Sequence, residues 1–143
     1  MPNRQTGTQQ NRQVISQDDL RKIIVNKDGS QILVKRAEDL GKQLVDERLK
    51  SSQIRAIFDE VRQIESLWLQ NEQKALHKVY LLKPKLAYRA ARSSEGVPTL
   101  KDILSRAIDI VVESPAEAKE RFRRFTEFFE AILAYHKAYG GRD

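Results

Sequence analysis

The stretch SPAEAKERFRRFTEFFEAILAYHKAYGG, residues 114–141, decides the fold class. Phe122, Phe125, Phe129, Ile132 and Leu133 recur at three- and four-residue spacing, which lines one face of an α-helix and no face of a strand. Both ends carry signals. Ser114 is placed to cap, Pro115 sits where its missing N–H is harmless, and Glu117 completes a capping box. Gly140 and Gly141 supply the stop. A helix from 114 to about Ala138 follows. His136 falls on or beside its apolar face, where a packing role is expected.

The same period recurs upstream. DDLRKIIV (18–25) reads as a short helix ended by Asn26 to Gly29. A longer helix over 30–47 carries Leu33, Ala37, Leu40 and Leu44 in one stripe. RLKSS (48–52) interrupts it, and Ser51 or Ser52 is placed to cap a helix over about 52–70. Ile54, Ile57, Phe58, Val61, Ile64 and Trp68 form its inner face; Arg55, Asp59, Glu60 and Arg62 form its outer face. SSEGVP (93–98) is a loop. Thr99 with Asp102 then starts a helix with Leu100, Ile103, Leu104, Ala107, Ile108 and Val111 inward. No run reads as a strand. Residues 1–16 have almost nothing to bury and read as a disordered tail before a single helical domain, 17–143. The expectation is an all-α, compact bundle of five to six helices, one of them basic and kinked.

The totals bound the function. The 143 residues carry a net charge of +6, which favours an acidic partner, nucleic acid being the commonest. The chain has no cysteine, which removes disulfides, zinc–thiolate sites and thiol nucleophiles. No apolar run approaches the ~18 residues of a membrane span, and no secretory signal is present. A cytoplasmic setting is the default expectation, with no membrane partner.

The charge is concentrated in one segment. Between residues 74 and 92 stand Lys74, Lys78, Lys83, Lys85, Arg89 and Arg92, and no acid. At about 100° per residue, taking Lys74 as zero, Lys85 falls near 20°, Lys78 near 40°, Arg89 near 60° and Arg92 near 0°. Leu76, Val79, Leu82, Leu86 and Ala90 occupy an arc of roughly 80–200°. The polar face is thus almost purely positive, whereas solvated helices usually intersperse acids at i,i+4. Pro84 cannot donate to the carbonyl of Tyr80, so a kink or break is expected near 80–84. Lys83 falls near 180°, within the apolar arc. A break would turn it outward; otherwise it must snorkel past its neighbours. Tyr88, beside the stripe, is open to two roles, stacking on a base or ribose and half-buried packing.

Two other segments are basic. ERLKSSQIR (47–55) places Arg48, Lys50 and Arg55 around a loop and a helix N-terminus, where free N–H groups favour phosphate. KERFRR (119–124) is diluted by Glu117 and Glu120 and ranks lower. His77 and His136 lack metal-motif spacing, and no Gly-rich phosphate loop, GxSxG or catalytic carboxylate pair is present. An enzyme is not expected.

SSQIRAIFDEV (51–61), LLKPKLAYRAAR (81–92) and RRFTEFFEAILAYHKAYGG (123–141), in that order and spacing, resemble the small subunit of type III-A CRISPR effector complexes, the Csm complexes. The resemblance spans about 30–141; Ala91 stands where the family pattern has glycine. It implies an all-helical, non-catalytic, RNA-binding subunit of an antiviral ribonucleoprotein that needs no cofactor. Its partners would be the guide RNA and target RNA, the backbone RNase subunit, the large subunit, and further copies of itself along the RNA. Carried onto this chain, Arg55, Lys83, Lys85, Arg89 and Arg92 become the favoured nucleic-acid contacts, with Arg48 and Lys50 next. The residues alone leave two alternatives, a helical protein–protein scaffold and a free-standing nucleic-acid-binding protein.

Overall fold

The structure, a computed structural model, describes residues 15–93 and 95–142. The described residues form six α-helices: α1 (Gln17–Val25), α2 (Ser30–Asp46), α3 (Ser51–Leu67), α4 (Glu72–Ala91), α5 (Val97–Val112) and α6 (Ala118–Ala138). A 3₁₀ turn, Pro115–Glu117, precedes α6, and no strand occurs among the described residues. Most of the expected tail, residues 1–14, lies outside the description. Ile15 and Ser16, assigned to that tail by composition, are part of the packed structure. Ile15 is buried, its carbonyl accepts from Arg106 Nη1 at 3.1 Å, and Ser16 Oγ caps α1 by accepting from Asp19 N–H at 3.0 Å.

The α6 helix is the central element, packed against α1, α2, α3 and α5. Phe122, Phe125, Phe128 and Phe129 have no exposed surface. Each such side chain contributes ~1.5–3 kcal/mol on burial. Phe129 meets Phe58 of α3 edge-on at 5.1 Å, and Phe122 lies 6.1 Å from Trp68. The helix ends as its glycines imply. Gly140 adopts φ +100°, and the Gly140 and Gly141 N–H groups donate to the carbonyls of Lys137 (3.1 Å) and His136 (2.8 Å). This pair of bonds closes a helix whose last carbonyls would otherwise lack partners.

The start of α6 differs from expectation. Ser114 makes no side-chain cap bond; the Glu117 N–H donates instead to the Ser114 carbonyl at 2.9 Å, and the α-helix begins at Ala118. The i→i+3 closure after Pro115 uses the backbone carbonyl for what a cap hydroxyl would do. Two other boundaries also move. The α5 helix begins at Val97, two residues before Thr99, because Gly96 (φ +80°) reverses the chain there. The α3 helix is capped at Lys50, whose N–H donates to Gln53 Oε1 at 3.3 Å, which makes Ser51 and Ser52 its first helical residues.

Helices α2 and α6 approach closely at Gly41. A Cβ there would stand 2.6 Å from Tyr135 Cβ and 2.8 Å from the His136 nitrogen. Gly41→Ala gains ~1 kcal/mol of helix propensity yet must push the two backbones apart. A net destabilisation of about 1–3 kcal/mol is expected by urea unfolding; a stabilised variant would show that the approach is not constraining.

Candidate nucleic-acid interface

At the edge of the bundle lies α4, packed on α5 and α3. Ala75, Val79, Leu82 and Leu86 form its buried face. Asn71 caps it, its side chain accepting from the Lys74 N–H at 3.0 Å. The helix is continuous through Pro84, so of the kink or break expected there the break does not occur. Pro84 and Tyr80 both face solvent, where water can satisfy the freed Tyr80 carbonyl, while Leu82 and Leu86 anchor the turns on either side. The break is therefore not needed to free Lys83. It lies on the flank toward α5, half exposed, with Nζ 2.6 Å from Asp109 Oδ1.

The basic stripe is less unpaired than the local sequence implies. Glu60 of α3 meets Lys85 Nζ at 3.2 Å and Arg89 Nη2 at 3.4 Å through its two carboxylate oxygens. Among the described residues, Lys74, Lys78 and Arg92 make no ion pair within 4.0 Å with a carboxylate. Glu60 was expected on the outer face of α3 with Arg55. It sits instead near 340° when Gln53 is zero, on the edge facing α4, while Arg55 falls near 200°.

Between α3 and α4 opens a groove of about 580 Å³. Lys85, Arg89 and Arg92 line it from α4, and Gln53, Ile57 and Glu60 from α3. Tyr88 also lines it and is 62% exposed, which decides against the half-buried packing role. The outer face of α4 carries Tyr80, Leu81, Pro84, Ala87, Tyr88 and Ala91, all exposed and none charged.

Arg48 and Lys50 line a second hollow, about 490 Å³, together with Arg142, Glu95 and the Gly140–Gly141 stop of α6. The loop between α2 and α3 is held hard. Leu49 is buried, its carbonyl lies 2.7 Å from His136 Nε2, and a Cβ on Gly96 would come within 2.5 Å of its Cβ. His136 is thus the packing histidine expected. Arg48 has φ 66°, a left-handed conformation that glycine usually takes at such a helix end.

Of the expected contacts, the structure gathers Lys85, Arg89 and Arg92 in one groove and Arg48 and Lys50 in another hollow. Lys83 and Arg55 belong to neither. The lower-ranked 119–124 segment is largely engaged in internal bonds. Arg121 Nη1 donates to the Ile110 carbonyl at 2.8 Å, Arg124 Nη1 to the Ile24 carbonyl at 3.2 Å, and Arg123 pairs with Glu120 and Glu127. Glu113 chelates Arg21 at 2.7 and 2.9 Å, a contact that holds its carboxyl below the usual range. Among the described residues, no cluster of metal-ligand type is present and no helix is long and apolar enough to cross a membrane.

An all-α bundle with a basic, aromatic-edged groove on a peripheral helix is the class defined by these features. The protein-family model described as Csm2 Type III-A matches residues 27–142, and the chain belongs to that family, the small subunit of the type III-A CRISPR (Csm) complex. No curated protein and no solved structure gave a match.

The Lys85 bridge to Glu60 is exposed and the Arg89 bridge part-buried, with Glu60 itself 27% exposed, and pairs this near the surface typically contribute ~0–1 kcal/mol. Glu60→Gln should therefore change the unfolding free energy by about 1 kcal/mol or less. A loss of several kcal/mol in chemical denaturation would make Glu60 a structural clasp.

Proposed function

We propose that this subunit binds RNA through its sugar–phosphate backbone, with Lys85, Arg89 and Arg92 as the principal contacts and Arg48 and Lys50 as a second set. In the Csm complex the strand would be the guide–target duplex, and the backbone RNase subunit and the large subunit would be the protein neighbours. The observation that carries this is the convergence of three cations on one open groove whose acid, among its lining residues, is Glu60. A surface carboxylate holds two long cationic side chains weakly. A polyanionic strand replaces it with several phosphates and releases condensed counterions. Lys83, paired with Asp109 on the other flank, and Arg55, on the far side of α3, become secondary contacts.

The left-handed Arg48 supports the same reading. A side chain at that backbone conformation costs roughly 1–2 kcal/mol relative to glycine, and such outliers concentrate at functional positions. The rigid attachment of Leu49 holds Arg48 and Lys50 in a fixed place.

Because backbone contacts read charge and shape, affinity should fall steeply with salt and change little with RNA sequence. Lys85→Gln with Arg89→Gln avoids adding carboxylates beside Glu60. The pair should weaken RNA binding and reduce the slope of log K against log salt by ~1.4–1.8, with helicity retained. An unaltered slope in filter-binding titrations would move the interface elsewhere.

Arg48→Gly separates stability from binding. It should raise the unfolding free energy by up to about 1 kcal/mol while weakening RNA affinity. If neither quantity moves, Arg48 is an ordinary surface residue.

A further inference from the structure

We infer that the α3–α4 groove is a receptor for one unpaired nucleotide, with Tyr88 as the stacking platform for its base. The strand-borne form of this site rests on the RNA-binding reading above. Three independent features meet there. Tyr88 presents an open aromatic surface, being 62% exposed. The ring is braced and not loose: Arg92 Nη1 donates to the Tyr88 hydroxyl at 2.8 Å, and the guanidinium lies over the ring at 5.5 Å from its centroid. A ring fixed in this way loses little freedom when a base is laid on it.

The groove is also mixed in the way a nucleotide requires. Pro84, exposed on α4 one turn before Tyr88, gives the groove an apolar wall beside the ring, with the buried Ile57 and Val97 behind it, while Gln53 and Ser93, joined by a 3.4 Å bond from Nε2 to Oγ, offer polar groups to a base edge. Lys85, Arg89 and Arg92 supply charge for the adjoining phosphates. Its volume of about 580 Å³ exceeds what a single base fills. A purely phosphate-tracking surface needs neither an exposed ring nor an apolar wall beside it. A base still paired within a duplex cannot present its face to Tyr88, so the site selects a bulged, flipped or single-stranded position.

The ligand chemistry, a nucleobase with an adjoining phosphate, is shared by a nucleotide within a strand and a free mononucleotide. The test uses the full chain with four probes: a paired RNA duplex, the same duplex with one bulged adenosine, the same bulge made abasic, and AMP. The wild type should bind the bulged duplex about five-fold or more tighter than the paired or abasic forms. Tyr88→Phe should keep this preference and Tyr88→Ala should bring the ratio of bulged to paired affinity to about one, whatever the loss of the Arg92 contact does to both affinities, with thermal unfolding unchanged. Tyr88-dependent AMP binding without a bulge preference would assign the groove to a free nucleotide. Equal affinity for bulged and paired duplexes, with no Tyr88-dependent AMP binding, overturns the inference. Failure to bind the paired duplex counts against the backbone reading, and the AMP probe still tests the groove.

Discussion

The phenylalanine face of α6 must be covered from several sides at once, and the bundle is arranged around that requirement. Phe122, Phe125, Phe128 and Phe129 are sealed completely. No single neighbouring helix can do this, since a helix contacts another along only one stripe. Helices α1, α2, α3 and α5 all pack on α6. The Gly41 approach brings α2 close enough to reach Tyr135 and His136. The chief remaining position for α4 is outside, between α3 and α5. Its edge location is a consequence of how the aromatic core is closed.

That location sets the electrostatics. A helix seated between two others has a buried arc, two flanks and a free outer face. On the α5 flank Lys83 reaches Asp109; on the α3 flank Lys85 and Arg89 reach Glu60. These acids offset the repulsion among the like charges, at the modest strength typical of pairs near the surface. A deeply buried carboxylate in the same place would hold its partners against any competitor.

The core was legible because helical periodicity is a local property. The inner residues assigned to the helices beginning near 52 and 99, including Ile57, Trp68, Ile103 and Val111, are all buried in the structure. His136 likewise packs as its position on α6 implied. What local pattern could not reveal was set by neighbours distant in sequence. The absence of acid in 74–92 suggested unpaired charge, yet Glu60 and Asp109 arrive from other helices. Pro84 signalled a kink or break, and its solvent-facing position with the buried leucines flanking it spares the helix the break. The cap at Ser114 failed because a backbone carbonyl did the same work in a 3₁₀ turn. Glu60 carried one usable signal: it lies three residues from Ile57 and seven from Gln53, on the border of the apolar face and not opposite it.

The two cationic hollows are built on one rigid junction. The left-handed turn at Arg48 delivers Leu49 into the core, where the ring of His136 meets its carbonyl and Gly96 leaves room for its side chain. That contact fixes the end of α2, the start of α5 and the C-terminal turn of α6 relative to one another. The first turn of α3 follows directly from Lys50, and Gln53 within it bonds Ser93 just after α4. Arg48 and Lys50 are therefore referenced, through short covalent and hydrogen-bonded steps, to the same residues that border the Tyr88 groove. Loops usually bring mobility to a binding surface. Here the loop is pinned at its centre and its charged residues project from either side of the pin. The Leu49 junction therefore sets the separation of the two cationic hollows.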